Sequence, residues 1–433
     1  MGQFKRHDFA GIRQSEEGNI LVVGGTGSGK SSGIIKPTLQ TWTGPIFALD
    51  IKGEVSNCYR QYAKSCSYGG KARPCIDFDP TQEEGIGYDP FCWLAKDDEE
   101  NLVTNILDLA YALIPLTPDI KEPFWIESER AILAAALMYH FKIGLGFSET
   151  IIKILSSPIL SLCESMEEYG CAEVKMMITG MKDLNGTTLA SIDRGLRNHL
   201  LLFGTDKRII NTFRSKQEGV PCFDWEDLTD NNIFLRVPAD KLDVWAPAIR
   251  LMLIQLIRYL ERRPEKYGPD GEYTQPTLLL LDEFARIGKV ECMVDAVATL
   301  RPNAVNICFV LQSLAQLDAV YGADQRRIIL DNCPWKAILR VGDAETQRAI
   351  SDLVGTTNVF HQNASISYDR YGKPIGYSYT AVESREFRIQ PHELATMDDV
   401  LLLTPYGTCC VDKYNKQRLL RDKASLSLDR WLK

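Results

Sequence analysis

The segment Asn19-Ile20-Leu21-Val22-Val23-Gly24-Gly25-Thr26-Gly27-Ser28-Gly29-Lys30-Ser31 decides the fold. Asn19–Gly24 is an apolar, β-branched run that reads as a buried strand, and Lys30–Thr41 carries a helical pattern. Between them, Gly24–Ser31 matches G-x-x-x-x-G-K-[ST] in the strand–loop–helix setting where that motif has a mechanical meaning. Glycines let the backbone curl until its N–H groups converge on phosphate oxygens, and the helix N-terminus adds a favourable partial charge. Gly24, Gly25, Thr26, Gly27, Ser28, Gly29, Lys30, Ser31 and the following Ser32 are therefore the expected phosphate-binding set. Lys30 is placed to reach the β- and γ-phosphates and Ser31 to ligate Mg2+, so the expected ligands are ATP and Mg2+.

Outward from this loop, short apolar strands alternate with helical patterns: Pro45–Asp50 as a strand, Glu54–Tyr68 as a helix, and the alternation predicts an α/β parallel sheet. From residue 96 to residue 216 the strand signal disappears. Ile126–Phe141, Glu149–Leu155, Glu173–Leu184 and Thr187–Phe203 all show helical periodicity, which predicts an all-α insertion. The alternation then resumes with strands at Asn232–Val237, Thr277–Asp282, Val305–Leu311 and Ala337–Val341 and a long helix at Trp245–Glu261. Residues 1–95 and 217–433 thus read as one discontinuous motor domain interrupted by residues 96–216. A polar stretch, Asn358–Ser384, carries Tyr368, Tyr371, Tyr377 and Tyr379 around a Gly-Lys-Pro turn and predicts a surface β-hairpin.

A 433-residue chain that is 45% apolar and 24% charged is soluble and globular, with about two or three domains expected at that length. The net charge of −8 excludes a surface coated in basic residues, though not a locally basic channel. No segment reaches the roughly 18 consecutive apolar residues of a membrane helix. Lys5, Arg6, His7 and Asp8 break up the first residues, so no signal peptide is expected. The 12 cysteines include no Cys-x-x-Cys pair and read as reduced thiols in a cytosolic setting. The five histidines form no i, i+4 pair, so no metal site is expected from them.

Leu278-Leu279-Leu280-Leu281-Asp282-Glu283 is the second chemical element. A buried strand would deliver two adjacent carboxylates to its C-terminal end, where open α/β sheets hold their ligands. Asp282 is expected to help hold Mg2+ and Glu283 to polarise the attacking water as general base, which makes the chain a candidate ATPase.

With these residues in view, the chain resembles the coupling-protein ATPases of type IV secretion and bacterial conjugation, the TraG/TraD-like group within the RecA-like FtsK/HerA class. The resemblance runs from about Asn19 to Tyr414. It rests on Gly24–Ser31, on Asp50-Ile51-Lys52-Gly53-Glu54, and on Asp79-Pro80 with Tyr88-Asp89-Pro90-Phe91. Phe124-Trp125, Asp282-Glu283-Phe284 with Ile287-Gly288, Leu311-Gln312-Ser313 and Ile329-Leu330-Asp331-Asn332-Cys333 follow in the family's order. The resemblance implies a RecA-like P-loop NTPase domain with a mainly parallel twisted sheet plus an inserted all-α domain. It also implies a trans-acting arginine finger at Arg301, with Arg286 and Arg340 as competitors, and a polar sensor at Gln312. Lys52 and Glu54 are open between a role near the phosphates and a structural ion pair, whereas Asp50 reads as structural.

By resemblance, the function is ATP-driven transfer of relaxase-bound DNA to a secretion channel. The implied partners are DNA bound without sequence preference, relaxase proteins, inner-membrane channel components and other copies of the chain in a hexamer, with a monomer expected in isolation. The implied place is the cytoplasmic face of the inner membrane. Members of the family usually carry two transmembrane helices ahead of the phosphate loop, and Met1 stands too close to the loop to leave room for them. That departure predicts a soluble fragment or a soluble variant. Two other readings remain: a different ring-forming DNA pump, and a cargo receptor that uses nucleotide only to fix its shape.

Overall fold

A computed structural model describes residues 6–7, 18–65, 72–82, 84–94, 99–115, 122–181, 183–215, 221–265 and 274–413. Its strands, in chain order, are β1 (Arg6–His7), β2 (Ile20–Val23), β3 (Ile46–Asp50), β4 (Cys75–Phe78), β5 (Gly87–Tyr88), β6 (Cys222–Phe223) and β7 (Asn232–Arg236). There follow β8 (Thr277–Asp282), β9 (Val305–Leu311), β10 (Trp335–Ile338), β11 (Thr356–Tyr368), β12 (Pro374–Phe387), β13 (Val400–Thr404) and β14 (Gly407–Val411). Ten of them form one sheet in the order β1-β14-β13-β10-β2-β9-β8-β3-β7-β4. From β10 to β4 every neighbouring pair is parallel; β13 is antiparallel to both β10 and β14. The mainly parallel RecA-like sheet is as expected, but the antiparallel β13–β14 addition was not foreseen.

The central strands are apolar on both faces because both faces are covered. Leu21, Val23, Phe47, Leu49, Leu279 and Leu281 face a core that takes in the helix Leu242–Glu261 and continues into the helices of residues 99–213. Val22, Ile46, Ala48, Leu278 and Leu280 face the other way, onto Ile35, Leu39, Val55 and Tyr59 of the first two helical segments. Asn19 fixes the base of β2: its side chain donates to Val297 O at 2.8 Å and Asn332 O at 3.1 Å and accepts from Ile307 N at 3.0 Å.

The insertion is helical and richer than its periodicity suggested. Helices at Glu99–Leu113, Ile159–Tyr169 and Lys207–Thr212 accompany Pro123–Lys142, Phe147–Ser156 and Gly186–Thr205. The expected helix Glu173–Leu184 is only Ala172–Met177. Gly180 adopts φ +81°, a left-handed conformation that ends helices. The resembling segment Tyr88–Phe91 helps join insertion and sheet. Tyr88 packs edge-on against Phe213 and at a tilt against Phe223 and Trp225, its hydroxyl accepts from Trp225 Nε1 at 2.9 Å, and Pro90 O accepts from Gln255 at 3.1 Å. Trp245 Nε1 donates to Asp206 at 3.1 Å and Arg258 pairs with Asp108 at 3.1 Å, adding polar ties to the long helix.

The helix after the loop also departs from expectation. Ser31–Ile35 is a π-turn and only Lys36–Thr41 is α-helical. Pro37 has no N–H to return to Gly33, and the wider turn accommodates the missing bond. The helix expected over Glu54–Tyr68 is Glu54–Ser65, its last residues lying outside those described. The fourth resumed strand sits at Trp335–Ile338 rather than Ala337–Val341. The described cysteines form no disulfide with one another. No described helix is long and apolar enough to cross a membrane.

Candidate nucleotide site

Strand order and register assemble the site. β9 lies between β2 and β8, with Val23 opposite Leu311 and Val310 opposite Asp282. Gly24, Gln312 and Glu283 therefore leave the sheet at one level, on adjacent strands roughly 5 Å apart. Parallel strands end together, so the loop, both carboxylates and the glutamine share the sheet's C-terminal edge.

The phosphate loop is built on close backbone approach. Gly24 N donates to Leu311 O at 3.1 Å, Gly25 N to Arg340 O at 2.8 Å and Ser28 N to Gly25 O at 3.1 Å. A Cβ on Gly24 would come within 2.6 Å of Ser28 Oγ and 2.9 Å of Leu339 Cβ, which excludes any larger residue. Gly27 (φ +71°) and Gly29 (φ +97°) turn the chain where a side chain would be strained. The Lys30 ammonium donates to Gly24 O and, at 3.2 Å, to Gly25 O. Burial lowers its pKa below the lysine range, Asp282 and Glu283 oppose that shift, and Lys52 adds to it.

Asp282 is largely buried, and burial together with Glu283 pushes its pKa up to about 6 against the pull of Lys30. Glu283 sits at φ +48°, ψ +38°, a left-handed conformation that a non-glycine residue holds only where its surroundings enforce it. Its amide donates to its neighbour's carboxylate, Asp282 Oδ1, at 3.0 Å. Its own carboxylate accepts from Gln312 Nε2 at 3.3 Å and from Arg286 Nη1 at 3.1 Å, while Gln312 Oε1 accepts from Thr26 Oγ1 at 3.5 Å. A polar chain Thr26–Gln312–Glu283–Arg286 thus runs from the loop to the carboxylates.

Of the remaining candidates, Ser31 and Ser32 follow Lys30 on the π-turn, and Ser32 Oγ donates to Gly29 O at 3.4 Å. Asp50 is fully buried and accepts from Val55 N at 3.2 Å and Ser56 N at 2.8 Å, so it caps the helix Glu54–Ser65. Lys52 and Glu54 are exposed. The three arginines occupy different places. Arg286 lies within the site on Glu283, and exposed Arg340 adjoins the loop through its carbonyl. Exposed Arg301 precedes β9 and so lies at the opposite edge, about 20 Å from its own loop across a seven-residue strand.

The contact of Arg286 with Glu283 was readable from their i, i+3 spacing. The approach of Lys413 was not: a Cβ on Gly29 would stand 3.9 Å from Lys413 Cδ, a neighbour brought by tertiary folding from just beyond β14.

The donor set fits a triphosphate and Mg2+. The loop amides and Lys30 suit phosphate oxygens, and the Ser28 hydroxyl is buried beneath the loop without a hydrogen-bond partner. No cluster of three or more acidic, histidine or cysteine side chains is found among the described residues.

A glycine loop on one parallel strand, a carboxylate pair two strands away and a glutamine between them define a RecA-like P-loop protein. Residues 2–404 match the family described as Type IV secretory system Conjugative DNA transfer, and the chain belongs to that family. It is 26% identical over 422 residues to Protein VirD4 of Agrobacterium fabrum, covering 95% of this chain and 60% of VirD4. It is 24% identical over 425 residues to the Conjugal transfer protein TraG of Escherichia coli, covering 92% of this chain and 64% of TraG. The chain thus spans less than two thirds of the length of these relatives. In fold it is similar to the bacterial conjugative coupling protein TrwBdeltaN70, with a TM-score of 0.67 at 17% identity over 92% of this chain and 85% of the other. The plasmid coupling protein TrwB in complex with ADP and Mg2+ gives a TM-score of 0.66 at 16% identity over 92% and 86%.

Proposed function

We propose that this chain is the ATP-hydrolysing motor of a conjugative coupling protein, which moves relaxase-bound DNA towards a secretion channel at the cytoplasmic face of the inner membrane. The observation that carries the reading is the link from Thr26 through Gln312 to Glu283, opposite Lys30, in a member of the conjugative DNA-transfer family.

In this reading Gly24–Ser32 and Lys30 cradle the triphosphate, and Lys30 exchanges its loop carbonyls for phosphate oxygens. Ser31 and Asp282 hold Mg2+, which when bound neutralises charge on the phosphates. Glu283 accepts a proton from the attacking water, and Gln312 orients that water through its bond to Glu283. Arg286 competes for the Glu283 carboxylate and fixes its direction. Arg301 completes the site of a neighbouring copy, which its place at the opposite sheet edge favours over a role in its own site. The motor domain comprises residues 1–95 and 217–433, with residues 96–216 as the inserted cargo-facing domain, and the working assembly is a hexamer.

The test is phosphate release from ATP, with and without single- and double-stranded DNA, by the wild type, Lys30→Ala and Glu283→Gln. DNA-stimulated turnover that falls at least ~100-fold in both variants, the loss expected on removing a positioned acid–base or charge-stabilising group, supports the motor. Equal turnover in all three proteins would overturn it. Nucleotide binding without turnover in the wild type would favour a receptor instead.

A further inference from the structure

The ribbon β11–β12 takes no part in the nucleotide site. Among the described residues it pairs only with itself, and it spans Thr356–Phe387, wider than the hairpin expected at residues 358–384. Its register sets Gln362 opposite Ala381, Ala364 opposite Tyr379 and Ile366 opposite Tyr377. Side chains alternate across a strand, so Phe360, Ala364, Ile366, Tyr377, Tyr379 and Ala381 share one face with Gln362 and Glu383. His361, Asn363, Ser365, Ser378 and Thr380 occupy the other, with Val359 and Val382. The apolar face is uncovered: Phe360 is 69%, Tyr377 65%, Tyr379 67% and Ile366 41% exposed.

Such a face has a cost. A lone two-stranded ribbon is marginal in water, and its apolar side gains stability only against a further element. With about 150–250 Å2 for each aromatic side chain, the uncovered apolar area is roughly 500 Å2, high for a monomer and over half of the ~800 Å2 one partner gives to a stable interface.

Its chemistry and place point to the occupant. Within the ribbon Asp369, Glu383 and Glu386 are balanced by Arg370, Lys373 and Arg385, so it lacks the basic excess that nucleic-acid backbones require. An aromatic, weakly charged strip suits a protein. The ribbon lies in the connection from β10 to β13, which pair antiparallel with Ile338 opposite Leu401. That connection leaves and re-enters the sheet at the edge carrying the phosphate loop. It turns out at Gly355 (φ +86°), where Arg388 N donates to Gly355 O at 3.0 Å, and strands of this length extend about 40 Å.

We propose that the apolar face of the ribbon docks on a second copy of this chain, as a strap across the boundary where neighbouring subunits meet. The neighbour's position rests on the ring reading above; the uncovered face does not. The test places a photoreactive benzophenone amino acid at Tyr379 in the full chain and irradiates it with ATP analogue, Mg2+ and DNA present. The expected product is a covalent homodimer whose cross-link maps to another copy's body. The variant F360S/Y377S is expected to lower that yield roughly tenfold or more, as loss of buried aromatic anchors does, with nucleotide binding unchanged. Self-association by sedimentation without capture at residue 379 overturns the strap and leaves the ring. Capture of a second copy while turnover is indifferent to Arg301→Ala supports the strap and removes the shared site. Capture of DNA or lipid alone, or neither capture nor self-association, overturns the strap.

Discussion

Asp282 and Glu283 are adjacent in sequence but held differently. Asp282 ends its strand half-sunk in the core with a pKa of about 6, while Glu283 is turned into the left-handed region and gripped by Gln312 and Arg286. A carboxyl raised to about 6 is protonated below that pH, and in the proposed role of Asp282 a proton competes with Mg2+ for the same oxygens. Mg2+-dependent nucleotide affinity is therefore expected to hold above pH 7 and to fall up to ~tenfold per pH unit below 6. Asp282→Asn should show weak affinity at every pH; fluorescence titrations with and without Mg2+ between pH 5 and 8 check this. Gln312→Ala removes the amide that links Thr26 to Glu283, the group the proposed function assigns to orienting the water. It should lower turnover about 10- to 100-fold while leaving nucleotide affinity within a few-fold, as steady-state kinetics beside equilibrium binding would reveal.

At the scale of elements, the helices Pro123–Lys142 and Gly186–Thr205 enclose a buried carboxyl. Glu129, on the helix Pro123–Lys142, is almost fully buried, and burial raises its pKa to about 7; His199 lies 3.5 Å away and burial lowers its pKa. Because the folded pKa exceeds the unfolded one, Glu129 favours the folded state below about pH 4.5 and that contribution is lost as pH rises to 7. Glu129→Gln is expected to raise the thermal midpoint at pH 8 by roughly 2–4 °C and to change it little at pH 5, as calorimetry at both pH values would show. The same scale separates what was readable from what was not. Strand–loop–helix at Asn19–Thr41 and the leucine strand ending in Asp282 were legible because local periodicity, turn chemistry and burial agree there. Helix Ile159–Tyr169 was missed although Ile159, Leu162, Cys163 and Met166 have helical spacing, and Lys207–Thr212 depends on the Asp206 cap rather than on a pattern. The β13–β14 pair and the approach of Lys413 to Gly29 are long-range pairings that no local window contains.

At the scale of the molecule, the phosphate loop and Arg301 occupy opposite edges of one sheet. Within one chain they stand a strand's length apart, so a shared site requires a second copy, as in the proposed head-to-tail ring. Sequence resemblance assigned the arginine, and strand direction supplies the reason it would act in trans. The measurement that tests this most directly is ATP turnover in a mixture of Lys30→Ala and Arg301→Ala subunits. Each variant alone is expected to be inactive. In a random equal mixture about one interface in four joins an intact loop to an intact arginine, so roughly a quarter of wild-type turnover should return. A mixture no more active than its separate components, or an Arg301→Ala protein as active as wild type, would contradict a site shared between subunits.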